Sequence, residues 1–411
     1  MTAMRGPLGV TKLSVVVPCF NEERTLRLCV ERLLDIRDAT LALEIVIVDD
    51  RSTDRSGVVA RELAARHSEI VIVGHARNRG KGAALRTGFR RVTGDFVAVQ
   101  DADLEYDPQD LKRLLEPLRE GVADVVLGSR FLPSGRHRVL YFWHSVANRM
   151  LTVLSNMFTD LNLSDMETGY KVFRRDVVEA LVLHEDRFGI EPELVAEVAR
   201  LRLRVYEMGI SYSGRTYDEG KKIRGHDAAR ALYCILRYNA HSAPLPMQYV
   251  LYLAVGGTAG LVNLLVFLSL LGLHLDVTPA ALGAFAAAAL VNYFLCVLIL
   301  FRHRAYWGSI GEVFVYAAVV VLAALVDLVI THGLIAGGLP PGGAKALAAV
   351  LGVFLNFAAR RFVVFPERPR GPWAPSQIPG GSAAQSVRPP AAQAAVRSEV
   401  TAGERHAGRR S

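Results

Sequence analysis

The chain has 411 residues, 51% of them hydrophobic, with a mean hydropathy of +0.25 and a formal net charge of +8. This is longer than one ordinary domain, and the hydropathy argues against a wholly soluble enzyme. Because the apolar residues crowd into 248–365, the basic balance fits anionic lipid headgroups and gives no reason to invoke nucleic acid.

In chain order, no signal peptide is read. The apolar stretch 13–17 is too short for one and stops at Pro18, so the N-terminal part is expected in the cytoplasm. Residues 13–17 instead suit a buried strand. Residues 22–35 have helical spacing, with Leu26, Val30, Leu33 and Leu34 near one face. A second strand over 43–48 ends in Asp49-Asp50, and Ser52-Thr53-Asp54 caps a helix reaching about residue 66. Strands follow at 70–73, 96–100 and 125–127, with a helix over 81–91. The alternation predicts an α/β fold: a mostly parallel sheet with helices on both faces. Ligands bind beyond the carboxyl ends of such strands, where Asn21-Glu22, Asp49-Asp50 and Asp101/Asp103 collect. The four cysteines are scattered and form no CxxC pair, which argues against a zinc site or a disulfide framework.

The segment Gln100-Asp101-Ala102-Asp103-Leu104-Glu105 is the most informative. Carboxylates this close repel unless a cation lies between them. Mg2+ or Mn2+, which take few carboxylates plus phosphate oxygens, would neutralise a diphosphate leaving group there. The plain alternative is a helix cap or an acidic turn. Asp49-Asp50 either accepts hydrogen bonds from a base or ribose, or caps the following helix. Asn78-Arg79-Gly80-Lys81-Gly82 is either a cationic phosphate loop ahead of a helix or a tight turn.

Together with Val15-Val16-Val17-Pro18-Cys19-Phe20-Asn21-Glu22, Gly128-Ser129-Arg130-Phe131, Asp165-Met166-Glu167-Thr168-Gly169-Tyr170-Lys171, Phe188-Gly189-Ile190-Glu191-Pro192-Glu193 and the stretch 215–222, these motifs resemble the family 2 inverting glycosyltransferases of GT-A fold. The similarity is to the dolichyl-phosphate mannose synthase-like branch and covers about residues 13–238. It implies donor contacts from Pro18, Phe20, Asn21, Glu22, Val48, Asp50, Lys81, Asp101, Ala102 and Asp103. Arg215, Lys221 and Lys222 would join them, the two lysines on a loop that closes over the donor. Asp101 and Asp103 would hold the metal, with Glu105 as a third ligand where many relatives carry Gln. Arg130 and Arg149 would face an acceptor phosphate, whose oxygens a guanidinium fork suits. Asp101, Asp103 and Arg130 would carry catalysis. A phosphate monoester is already mostly doubly ionised near neutral pH, its second pKa being about 6, and needs no protein base.

Four apolar stretches follow, at about 249–271, 279–301, 313–335 and 344–365, each near the roughly 20 residues of a membrane span. Arg302-His303-Arg304 and Arg360-Arg361 place both termini in the cytoplasm. An echo, Asn292 nine residues before Phe301 and Asn356 nine before Phe365, indicates two related helix pairs. This part resembles GtrA-like membrane proteins. Asp327 is an intramembrane acid, either functional or a partner for Asn263, Asn292 or His332. Residues 228–238 are amphipathic: an interfacial helix or a helix packed on the catalytic domain. The domains expected are therefore 1–241 (catalytic), 248–365 (membrane) and 366–411, a basic tail without a core.

The function expected is transfer of a hexose from a nucleotide sugar, GDP-mannose or UDP-glucose, to a polyprenyl or dolichyl phosphate at the cytoplasmic membrane face. A homo-oligomer is left open. Two rivals remain. A glycan hydroxyl acceptor would need a general base, for which Asp165 or Glu191 are candidates. A lipid-linked sugar flippase would use the soluble domain only for regulation.

Overall fold

A computed structural model describes residues 10–133, 139, 141–214, 225–300 and 309–364. Arg215, Lys221, Lys222, the cations at 302–304 and the tail 366–411 lie outside the described residues, as does the side chain of Asp327.

The catalytic half runs β1 (Thr11–Cys19), α1 (Leu26–Leu34), β2 (Leu41–Asp49), α2 (Ser56–Arg66), β3 (Ile70–Gly74), α3 (Lys81–Phe89), β4 (Phe96–Val99), α4 (Gln109–Arg119), β5 (Val125–Ser129), α5 (Phe142–Thr159), β6 (Lys171–Arg174), α6 (Arg175–Ala180), α7 (Ile190–Leu201), β7 (Val205–Gly209) and α8 (Gly225–Asn239). The sheet order is β3-β2-β1-β4-β6-β5-β7. All pairings are parallel except those of β6, which is antiparallel to both β4 and β5. β1 is covered on both faces, so its centre reads as one unbroken apolar run. The period of two then divides the neighbours. Val15, Val17, Ile45 and Ile47 pack in one layer with Leu26, Val30 and Leu114. Val16, Val46 and Val48 pack in the other with Leu85, Leu194 and Ile235.

Two strands escaped the sequence reading. β6 is four residues with a cation at each end, and β7 alternates too briefly to stand out. α8 packs on the catalytic layer through Ala231, Cys234 and Ile235, while Leu232 and Tyr233 face outward.

A short 3-10 turn, Ala240–Ser242, leads into the helical half: α9 (Leu245–Gly272), α10 (Val277–Leu295), α11 (Ser309–Ala336) and α12 (Pro341–Ala359). α10 and α12 each end in a turn of π-helix, Cys296–Leu300 and Arg360–Val364. Among the described residues two helical stretches, Leu245–Gly272 and Thr278–Ile299, are long and apolar enough to cross a membrane. The catalytic core does not stop at residue 241, since Ala243 and Met247 pack within it.

The two asparagines of the sequence echo meet at one guanidinium. Arg360, buried, donates to Asn292 and, through Nε, to Asn356 Oδ1 at 3.2 Å. Its Cζ lies 4.8 Å from the Tyr316 ring centroid and 5.5 Å from that of Tyr252. Asn292 thus has partners other than Asp327.

Candidate active site

The carboxyl ends of β1, β2 and β4 open onto a cavity of about 360 Å3. Its wall includes Pro18, Phe20, Glu22, Asp50, Lys81, Asp101, Ala102, Asp103, Glu105 and Arg130, so most of the residues expected from sequence converge there. Three do not. Val48 is fully buried in the core, Asn21 holds Thr53 through its side-chain oxygen, and Arg149 is exposed on α5 away from the cavity wall.

Each functional side chain has a local cause. β4 stops at Val99, and the chain turns through Leu104 at a φ of 63° while the Glu105 N–H donates to Asp103 Oδ1 at 3.2 Å. This local acceptor favours a turn over continued strand. Asp101 fits because residue 169 is glycine: a Cβ there would lie 2.5 Å from Asp101 Oδ2. Asp50 is buried and accepts from the Arg79 and Gly80 N–H groups at 2.9 and 2.6 Å, and lies 2.7 Å from His75 Nδ1. In this structure it anchors the glycine loop, whose Gly80 has a φ of 101°.

The charges are arranged in pairs. Lys81 Nζ lies 2.8 Å from Asp101 and 2.9 Å from Glu191. Burial alone would lower the lysine pKa, but the two carboxylates outweigh it and raise it well above its usual value. Glu191 also pairs with buried Lys171. Burial would raise its pKa, yet Lys171 and Lys81 hold it below the usual carboxylate range. Arg130 grips Asp165 with Nε and Nη2, both at 2.7 Å, and its Nη2 donates to Asn148 at 3.1 Å. Against the effect of burial, Arg130 keeps Asp165 ionised.

Glu167 is the exception. It lines the same cavity, and its Oε1 is buried without a hydrogen-bond partner. Burial first, then the charge of Glu191, push its pKa up to about 7. The sequence motif contained Glu167, but nothing in the string marked it apart from its neighbours. Tyr106 and Tyr212 were also missed. Tyr106 accepts the Gly169 N–H at 2.9 Å, and Tyr212 donates to Glu105 at 2.8 Å while lying under Arg130.

The expected third metal ligand is not gathered with the other two. Among the described residues no three His, Cys, Asp or Glu side chains converge as a cage, and the Glu105 carboxylate accepts a hydrogen bond from Tyr212. Asp101 and Asp103 alone still fit a hard divalent cation that keeps phosphate oxygens among its ligands.

The model of glycosyl transferase family 2 matches residues 14–182, and that of the GtrA/DPMS transmembrane domain matches 251–365. An undecaprenyl-phosphate mannosyltransferase of Micrococcus luteus is 30% identical over 224 residues, covering 52% of this chain and 88% of that protein. The chain belongs to glycosyl transferase family 2. With its GtrA/DPMS domain and apolar helices, this family 2 glycosyltransferase is a membrane protein. The low-salt glycan biosynthesis hexosyltransferase Agl6 of Haloferax volcanii is 35% identical over 207 residues, 49% of this chain and 48% of that one. An undecaprenyl-phosphate 4-deoxy-4-formamido-L-arabinose transferase of Photorhabdus laumondii is 29% identical over 214 residues, 52% of this chain and 63% of that one. The chain thus spans about half to two thirds of the length of these last two relatives. A glucosyl-3-phosphoglycerate synthase of Mycobacterium tuberculosis, solved with Mn2+ and UDP, aligns with a TM-score of 0.44 at 20% identity, over 56% of this chain and 80% of that one.

Proposed function

We propose that this glycosyltransferase moves a hexose from a nucleotide-diphospho-sugar to a polyprenyl phosphate at the cytoplasmic face of a membrane. One observation carries the reading: a single cavity holds an acidic pole, Asp101 and Asp103 with Lys81 beside Asp101, and a basic pole, Arg130. A donor diphosphate suits the first through a cation, and an acceptor phosphate suits the second. The names of the relatives, polyprenyl-phosphate sugar transferases among them, support the acceptor class.

Asp101 and Asp103 would hold Mg2+ or Mn2+, which when bound would neutralise the diphosphate. Lys81 sits beside Asp101 and adds positive charge where the leaving group gains negative charge. Arg130, held in place by Asp165 and Asn148, would orient the acceptor phosphate for in-line attack on the anomeric carbon. A single displacement inverts that centre. Both bases considered from sequence, Asp165 and Glu191, are locked in ion pairs. A phosphate acceptor needs neither.

A second reading rests on Glu167. A carboxyl with a pKa near 7 and an unpartnered oxygen in the cavity can serve as general base for a hydroxyl acceptor. The deciding experiment incubates membranes with labelled nucleotide sugars and either polyprenyl phosphate or a glycan acceptor. Label in the lipid fraction supports the first reading. Label only in the glycan supports the second.

We also infer that all four helices α9 to α12 cross the bilayer. With their π turns α10 and α12 reach Leu300 and Val364, and the GtrA/DPMS match spans all four. An even number of crossings returns the chain to the side of the catalytic domain, the cytoplasmic one by the positive-inside rule.

A further inference from the structure

A second cavity, of about 600 Å3, shares no lining residue with the catalytic one. It lies where the carboxyl ends of α5 and α7 meet the 3-10 turn and the first turn of α9, and it is closed by Arg361 at the end of α12. Apolar helices begin and end at this level, which is the level of the headgroups if they span the bilayer.

The wall is cationic. Arg200, Arg202 and Arg361 line it against one carboxylate, Asp160. Arg361 is only 9% exposed and is held by a hydrogen bond from Nε to Gln248 Oε1 at 2.8 Å. Gln248 is itself fixed, donating to the Ala243 carbonyl at 2.7 Å. Arg200 engages Glu197 through Nε and Nη2 at 2.8 and 2.7 Å. Arg202 stands exposed just past α7 at a φ of 53°. The first turn of α9 adds the positive end of a 28-residue helix. Leu245, 48% exposed, gives the same cavity an apolar edge. Guanidinium groups beside an apolar edge at the mouth of a membrane helix suit a phosphate that carries acyl chains.

We propose that this junction cavity binds the phosphate headgroup of an anionic phospholipid. The bound headgroup ties the catalytic domain to the membrane half at one depth. α7, 12 residues or about 18 Å long, carries Glu191 of the catalytic cavity near one end and Arg200 of the junction cavity near the other. The lipid therefore sets the height of the catalytic cavity above the bilayer. The assignment does not depend on which sugar or acceptor the enzyme uses.

The test is lipid retention by the full-length protein in neutral detergent, read by native mass spectrometry and by titration with short-chain phosphatidylglycerol. Phosphatidylcholine and inorganic phosphate are the comparison ligands. Wild type is expected to retain phosphatidylglycerol over phosphatidylcholine. Excess inorganic phosphate should not displace it. Arg202→Glu, at an exposed position, should weaken retention at least tenfold without lowering the unfolding temperature by more than a few degrees. Arg361→Lys, which keeps the charge and loses the fork, should weaken it less. Equal retention by wild type and Arg202→Glu would overturn the proposal. So would equal affinity for phosphatidylcholine. Full displacement by inorganic phosphate would overturn the lipid and assign the site to free phosphate.

Discussion

In and behind the wall of the catalytic cavity the buried cations lie against carboxylates: Lys81 against Asp101 and Glu191, Lys171 against Glu191, Arg130 against Asp165. In the membrane half, Arg360 lies among two amides, a thiol and two tyrosine rings, and among the described residues no carboxylate reaches it. The difference is one of purpose. A cation balanced by a carboxylate can trade that partner for an incoming phosphate or metal-bound diphosphate, because one anion replaces another. A guanidinium held by neutral groups has no anion to exchange; Arg360 instead ties α9, α10, α11 and the end of α12 together through Tyr252, Asn292, Tyr316 and Asn356. The first arrangement prepares chemistry and the second closes a bundle.

The largest expected effect is on the exchangeable side. Asp103→Asn should cut transfer by about 100-fold or more, the scale of losing a group that stabilises leaving-group charge. Circular dichroism and the unfolding temperature should stay near wild type, since Asp103 borders the cavity and not the core. Transfer within a few-fold of wild type would mean that the acidic pole has no part in chemistry.

Arg130 comes next and needs a careful choice of variant. Arg130→Ala would strand fully buried Asp165, a loss of about 3–5 kcal/mol, and its kinetics would be confused with misfolding. Arg130→Lys keeps the charge and removes the fork. It should raise KM for polyprenyl phosphate about tenfold and leave KM for the nucleotide sugar within twofold. An effect on the donor alone would reassign the basic pole.

Much of this site was legible in the sequence, for a physical reason. Residues at the carboxyl ends of parallel strands are contiguous in the chain and polar where the strand is not, so Pro18, Asp50 and Asp101/Asp103 stood out. What was missed depends on tertiary pairing. The neutralisation of Arg130 by Asp165 joins residues 35 apart, and that of Lys81 by Glu191 joins residues 110 apart. No local string reveals that both candidate bases are spent on ion pairs, or that Glu167 is not. The same limit hid β6, whose place between β4 and β5 is fixed by its neighbours in the sheet and not by its own four residues.

On the fixed side of the comparison, Arg360→Ala should lower stability in detergent by about 2–4 kcal/mol, from three lost hydrogen bonds, one of them to sulfur, and two cation–π contacts. Transfer per folded molecule on detergent-dispersed acceptor should stay within about threefold of wild type. A loss of transfer comparable to Asp103→Asn would show that Arg360 belongs with the exchangeable cations after all, and that the membrane bundle takes part in chemistry.

The smallest effect is expected at Glu167, and its sign separates the two acceptor readings. The ordinary glutamate pKa is about 4.5, and in the fold burial lifts that of Glu167 to about 7. Between these values the native state holds a proton that the unfolded chain releases. Stability is therefore full below about pH 4.5 and falls as pH rises toward 7. Asp165 and Glu191, whose pKa values are depressed, act in the opposite direction and only at lower pH, as acid protonates them. Glu167→Gln keeps the shape and cannot ionise, so the fall between pH 5 and 7 should flatten, by about 1–3 kcal/mol across the window. Thermal unfolding of both proteins at half-unit steps measures it, and an identical slope in the two would remove the raised pKa. Kinetics then supply the discrimination. With an ionised phosphate acceptor, Glu167→Gln should keep kcat within about fivefold, because no proton need leave the nucleophile. If the acceptor is a hydroxyl, the same substitution removes the cavity carboxyl whose pKa lies near 7, and kcat should fall by about 100-fold or more with loss of its rise near pH 7.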